Sequence, residues 1–342
     1  MKTRKFAVNG CQHAHIKMFI GEMIALGHEC AGIYEPENTA LARSLAEEFA
    51  IPLADDPERL LAEPVEVVGC ASINSEKIDV IELCERHGKH VMLDKPAVTD
   101  WDGYRRLESV IRRGNIHVGM LLTERFRPAV YTLKRQVDLG VFGRIVSIGM
   151  RKPHRLNPAN RPPWFFPKSR NGGIVVDLLV HDFDLLRWLT GKEVLSVDGT
   201  VGKFLLPEHP TFEDTACFQV LMEDGIVAQL YADWHTPEKS WTWGDCRIFV
   251  AGTEGCAELR LNGDPLVANE EILFRVTHRE PPQRVEPEQP PLTITEDFLN
   301  RIDGKASLLT HRDILEASRL TLEADERARR VGLRAKEGDI DA

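Results

Sequence analysis

From about residue 5 to residue 122 the chain alternates short apolar runs with amphipathic stretches at helical spacing, and this constrains the fold more than any single motif. Strands are predicted at Phe6–Val8, Cys30–Tyr34, Val65–Cys70, His90–Leu93 and Ile116–Leu122. Helices are predicted between them, over about 15–26, 38–49, 76–87 and 100–113, with Asn38 as an N-cap. Strands separated by helices pair in parallel, because each helix carries the chain back across the sheet. The expected class is therefore α/β, with a doubly wound parallel sheet.

The pattern changes after Arg125-Phe126-Arg127-Pro128. One helix follows, over about 129–139, and then strand-like segments succeed one another at 143–150, 196–204, 216–222, 226–233, 245–252 and 257–261. Glu223-Asp224-Gly225 reads as a hairpin turn. Strands mostly without intervening helices predict a second α/β domain built on an open, mostly antiparallel sheet. A chain of 342 residues is long for one core, so two domains are expected, 1–124 and 125–335. Residues 279–291 read as an irregular proline-rich connection and 314–331 as an amphipathic helix, with a frayed end beyond.

A net charge of -10 argues against nucleic acid as a partner, since no basic face is implied to meet phosphates. No apolar run approaches the roughly 20 residues of a membrane span. The basic N-terminus leads straight into a strand pattern, so a signal peptide is not expected. The seven cysteines are scattered without a Cys-x-x-Cys pair, which fits a reduced, cytoplasmic compartment.

Two segments carry candidate chemistry. In Gly172-Gly173-Ile174-Val175-Val176-Asp177-Leu178-Leu179-Val180-His181, a carboxylate and an imidazole lie four residues apart in an otherwise apolar helical pattern. That spacing puts Asp177 and His181 on one helix face, and apolar surroundings disfavour two titratable groups unless they have partners. Upstream, Asp94-Lys95-Pro96 follows the strand His90–Leu93. A lysine, an aspartate and a histidine are the makings of a proton-transfer site.

The first strand-to-helix turn reads Val8-Asn9-Gly10-Cys11-Gln12-His13-Ala14-His15. Only Gly10 fits the dinucleotide pattern G-x-G-x-x-G; Gln12 and His15 occupy the other glycine positions. The second strand ends at Tyr34-Glu35, where an acidic side chain accepts hydrogen bonds from ribose hydroxyls and repels a 2′-phosphate. NAD is therefore expected over NADP. His13 and His15 lack a third ligand of definite position, so they are expected to pack the cofactor turn, and no metal is predicted.

With these landmarks the chain resembles the Gfo/Idh/MocA oxidoreductases, from about Lys5 to Leu333. The resemblance is carried by the glycine turn, Ala71-Ser72-Ile73-Asn74, Gly88-Lys89-His90-Val91-Met92-Leu93-Asp94-Lys95-Pro96 and Glu124-Arg125-Phe126. It continues through Gly140-Val141-Phe142-Gly143, Asn171-Gly172-Gly173 with Asp177 and His181, and Gly252-Thr253-Glu254-Gly255. It implies an N-terminal Rossmann domain and oxidation or reduction of a sugar, cyclitol or related hydroxyl compound with NAD(P). Cofactor contacts are implied for Gly10, Gln12, His13, Ala14, Glu35, Ser72, Asn74, Asp94, Lys95 and Pro96. The catalytic trio maps onto Lys95, Asp177 and His181. His181 would exchange the hydroxyl proton, Lys95 would polarise the oxygen and Asp177 would orient. Asp94 stands where the family more often has glutamate.

Aromatic and donor-rich loops suit a polyol, and His154, Arg155, Trp164 and His235 are the expected substrate-side residues. The alternatives are a glycoside-processing oxidoreductase with transient ring-hydroxyl oxidation and cofactor recycling, and a dinucleotide-binding sensor without chemistry. An open sheet in the second domain leads to the expectation of a homodimer or homotetramer.

Overall fold

The computed structural model describes residues 3–62 and 64–332, so the expected frayed end lies outside the described residues. The chain forms two compact units. The first holds the chain through Leu122, together with Ser169–Gly172 and Leu292–Arg319; the second holds Thr123–Lys168, Gly173–Pro291 and the chain from Leu320.

The first unit is built on β1 (Lys5–Cys11), β2 (Glu29–Tyr34), β3 (Leu53–Ala54), β4 (Val67–Ala71), β5 (His90–Leu93) and β6 (Val118–Met120). They lie in the order β3-β2-β1-β4-β5-β6, every pair parallel. This is the doubly wound sheet the alternation predicts. The order reverses between β1 and β4, whose carboxyl ends therefore border the crevice where such sheets bind ligands. Helices cover the sheet, which is why β4 is buried at every position. The helix Ile294–Ile302, which the sequence reading passed over, joins this unit. A capping box starts it: Thr293 accepts from the Glu296 amide and Glu296 from the Thr293 amide.

The second unit carries β7 (Ile145–Pro153), β8 (Val194–Lys203), β9 (Thr215–Met222), β10 (Val227–Asp233), β11 (Arg247–Gly252), β12 (Gly255–Arg260), β13 (Ile272–Thr277), β14 (Gln283–Val285) and β15 (Arg329–Gly332). The order is β14-β13-β12-β11-β7-β10-β9-β8-β15, parallel only at β7–β10 and β8–β15. Three expectations need correction. Part of 279–291 forms β14, a short edge strand on β13. The terminal helix runs from His311 to Arg327 and gives way to β15, which pairs with the edge of β8. Arg330 secures that change of direction through Glu213 and Asp325. Finally, the single helix expected through Asp177 and His181 is two segments, Gly173–Leu178 and Val180–Thr190, joined at Leu179. No helix among the described residues is long and apolar enough to cross a membrane.

Two polar arrangements brace these units, one fully buried and one half-buried. In the second, Arg125 meets Asp184 in a bidentate pair, Nε to Oδ2 at 2.7 Å and an Nη to Oδ1 at 2.5 Å, both side chains 1% exposed. The bidentate fork satisfies the planar guanidinium in a setting that otherwise penalises charge. In the first, His90 Nδ1 accepts the His117 amide and His311 Nε2 accepts the Val118 amide, both at 3.0 Å. An imidazole nitrogen that accepts an N–H carries no proton. Burial lowers both histidines to about 4, helped by His117 and Arg301 for each.

The sign of the resulting pH dependence follows. The unfolded chain protonates these histidines near their ordinary value of 6.5, the folded chain only near 4, so the unfolded state binds more protons in that window. Their contribution to stability is complete above 6.5 and is lost as pH falls toward 4. Thermal unfolding from pH 7 to 4 should show a falling Tm, with a shallower fall in His311→Gln; equal slopes would refute the assignment. Asp184→Ala removes the carboxylate that forks onto the buried Arg125 guanidinium and should lower stability by about 3–5 kcal/mol in urea unfolding. A loss below about 1 kcal/mol, the level of an exposed pair, would contradict it.

Candidate active site

The first unit gathers its candidate residues at the carboxyl ends of β1, β2, β4 and β5. Gly10 has φ +92°, and a Cβ there would lie 1.8 Å from Ser72 Oγ and 2.7 Å from the Ser72 amide nitrogen. Only glycine permits β1 to pass this close to the end of β4. The Gln12 amide donates to Ala71 O at 2.7 Å, tying the turn to the same place. Glu35 then gathers the turn from the other side. Its carboxylate accepts from the Cys11 amide at 2.5 Å, from Gln12 Nε2 at 2.6 Å, and from the amides of Glu37 and Asn38 at 2.8 and 3.0 Å. Gln12, in place of a motif glycine, thus fills the turn with an amide that bonds to Glu35.

The loop after β5 is fixed from beneath by a lysine the sequence reading passed over. Lys77 opens the helix Lys77–Arg86 and is fully buried. Its ammonium donates to Asn74 Oδ1 and to the carbonyls of Asp94, Lys95 and Pro96, at 2.9, 2.9, 3.0 and 3.2 Å. Asn74 in turn donates to Asn171 O at 2.9 Å. The Lys95–Pro96 peptide is cis, and Lys95 is 9% exposed. Above the loop, Asp94 Oδ1 lies 3.0 Å from His15 Nδ1 and Oδ2 lies 3.4 Å from His13 Nδ1. Burial works against the Asp94 charge, but His15, Lys77 and His13 outweigh it and hold the carboxyl well below its usual value. The sequence expectation of a turn without a third ligand is corrected here: the fold delivers Asp94 to both histidines.

The second unit holds Asp177 and His181, 6% and 9% exposed, on either side of Leu179. The helix that carries His181 is anchored by its own carboxylates. Asp182 meets Lys152 of β7 at 3.0 Å, both buried, and Asp184 meets Arg125. Burial opposes the Lys152 ammonium, but Asp182 and Glu124 outweigh it and keep its pKa above the usual lysine value. The sequence reading singled out neither Asp182 nor Asp184, and nothing in the sequence named their partners.

Arg161 was read only as part of a loop. Its guanidinium stands over the rings of Phe165, Trp234 and Trp243 at 4.3, 5.1 and 5.7 Å. Burial lowers its pKa and Asp177 opposes that shift, which puts a caged cation in the neighbourhood of Asp177. His154 packs edge-on to Trp234 and Trp243 in the same cluster. Trp164 is buried beside Phe165. Arg155 donates to the carbonyls of Ser240 and Thr242, and His235 Nε2 lies 3.1 Å from both Asp214 Oδ1 and Thr215 Oγ1. These bonds make Arg155 and His235 braces of the surrounding loops.

Comparison with known proteins agrees with this architecture. Residues 4–120 match the family described as an oxidoreductase family with an NAD-binding Rossmann fold, and residues 130–258 match the GFO/IDH/MocA C-terminal domain. The scyllo-inositol 2-dehydrogenase (NAD(+)) of Bacillus subtilis strain 168 is 28% identical over 222 residues, 63% of this chain and 61% of that protein. The inositol 2-dehydrogenase of Rhizobium meliloti strain 1021 is 30% identical over 197 residues, 57% of each chain. The matched region thus spans about three fifths of these curated relatives. Among solved structures, a protein from Erwinia carotovora atroseptica SCRI1043 described as an oxidoreductase superposes with a TM-score of 0.88 at 24% identity, covering 96% of this chain and 100% of that one. A levoglucosan dehydrogenase in complex with NADH and levoglucosan gives 0.81 at 19% identity, over 96% and 97%. The parallel sheet with its glycine turn, the mixed sheet that follows, and the two consecutive family matches place this chain in the Gfo/Idh/MocA oxidoreductase family.

Proposed function

We propose that this protein is an NAD-dependent dehydrogenase or reductase acting on the hydroxyl or keto carbon of a sugar, cyclitol or related polyol. The observation that carries the reading is the pinned Asp94-Lys95-Pro96 loop beside a glycine turn held by Glu35. The residues present suit a dinucleotide: Gly10 keeps the turn free of a Cβ, and Glu35 offers carboxylate oxygens at the end of β2. Gly10, Gln12, His13, Ala14, Glu35, Ser72, Asn74 and the loop 94–96 would hold it. When bound, the nicotinamide supplies the hydride acceptor or donor.

The chain's own groups manage the proton and the charge. His181 takes the hydroxyl proton as hydride departs, and returns it in the reverse direction. Lys95 donates a hydrogen bond to the same oxygen and favours its negative charge. Asp177 orients the substrate through its hydroxyls. The rings of Trp164, Trp234 and Trp243 suit the C–H face of a sugar ring, with His154 and Arg161 as donors. Relatives named as inositol and D-xylose dehydrogenases support net turnover over transient ring oxidation or sensing without chemistry. The second unit's sheet exposes Val146, Val227, Phe249 and Phe274, which supports a homodimer or homotetramer that covers this face.

Nicotinamide reduction against a panel of cyclitols, aldoses, sugar acids and glycosides, with NAD and NADP separately, tests the reading. Turnover on one class should fall about a hundredfold or more in Lys95→Ala and in His181→Gln, with folding intact. Dinucleotide binding without turnover on any class, or none at all, would refute it. Glu35→Ser should weaken NAD and narrow the preference over NADP, because the group that repels a 2′-phosphate is gone; unchanged selectivity would remove Glu35 from the ribose site.

A further inference from the structure

We infer that His13, His15 and Asp94 bind a divalent transition-metal ion of the zinc class. Two imidazole nitrogens and one carboxylate, every donor atom within 4.8 Å of the others, converge at the turn after β1. The donors come from distant parts of the chain, Asp94 being 79 residues beyond His15, so local sequence does not force their meeting.

The two separations from Asp94, one through each of its oxygens, suit ligands of one ion. Nitrogen and oxygen ligands at about 2.1 Å from a metal stand roughly 3.0–3.4 Å apart, the edge of an octahedron or tetrahedron of that radius. Asp94 lies 3.0 Å from one imidazole nitrogen and 3.4 Å from the other. A pair of hydrogen bonds accounts for the arrangement less well. The His13 contact is long for an N–H···O bond.

Each carboxylate oxygen faces one imidazole, and the carboxylate itself is 3% exposed. Lys77 is the other cation acting on Asp94, and its ammonium bonds to Asn74 and three backbone carbonyls. The histidine side chains are 30% and 51% exposed, so an ion has a path in and water can complete its coordination. Mixed imidazole and carboxylate donors select zinc, cobalt or nickel over magnesium and calcium, which prefer all-oxygen sites. His13 and Asp94 are also among the residues proposed to hold the dinucleotide, so metal uptake is read without dinucleotide present and stands or falls separately from turnover.

The test is calorimetric titration of the chelator-treated full chain with Zn²⁺, and with Co²⁺ followed by its visible absorption. One ion per chain is expected, weakened about tenfold or more in each of His13→Ala, His15→Ala and Asp94→Asn. No uptake, or uptake of unchanged affinity in the two histidine variants, would overturn the site. Thermal melts establish folding, and the exposed His15→Ala decides the matter if Asp94→Asn does not fold.

Discussion

The Lys77 ammonium is the interaction on which the first unit's chemistry depends. A lysine charge removed from water is tolerated only when each of its three N–H donors has an acceptor. Here the acceptors are the Asn74 side chain and three successive carbonyls of the loop 94–96. One buried cation thereby fixes the backbone of Asp94, Lys95 and Pro96 through their carbonyls. Asp94 is then held against His13 and His15, and Lys95 is presented from a loop that cannot drift without leaving the ammonium unsatisfied. The glycine turn obeys a complementary constraint. Close approach of Gly10 to Ser72 forbids any Cβ, and the Glu35 carboxylate closes the turn by accepting two of its donors.

The second unit solves a similar problem with carboxylates. His181 lies in a helix whose residues from Val180 to Arg187 are all buried, where a polar side chain needs support. Asp182 and Asp184, next to it in sequence, reach Lys152 and Arg125 and lock the helix in rotation and height. Such pairs add little net stability over apolar residues of the same shape, but breaking either leaves a buried charge alone. Their consequence for chemistry is placement: the imidazole inherits its position from the neighbouring ion pairs.

Much of this was legible beforehand for identifiable reasons. Strand and helix periodicity in the first 122 residues gave the parallel sheet, because a strand buried on both faces and an amphipathic helix leave different patterns. The segments after residue 140 gave the second sheet for the same reason. β14 and β15 were missed because short edge strands such as Gln283–Val285 and Arg329–Gly332 carry polar side chains and need only a neighbour's free edge. The helix Ile294–Ile302 was announced by Thr293 and Glu296, a capping signal that the proline-rich stretch before it obscured. Lys77, Arg125 and Lys152 each look like ordinary surface cations in sequence, since burial of a charge is decided by its partner.

By itself the sequence determined the order of most elements, the class of the two sheets, the glycine turn and the residue types available for proton transfer. These follow from periodicity, from glycine's conformational freedom and from side-chain chemistry, all local properties. The tertiary structure alone decided which charges are buried and with whom. Asp94 meets His13 and His15, Lys77 meets the loop 94–96, Asp184 meets Arg125, and Arg161 stands among Phe165, Trp234 and Trp243. Apart from Arg161 and Phe165, which are four residues apart, each of these meetings joins residues distant in the chain, and a contact of that kind is set by how the strands and helices pack, which no local pattern encodes.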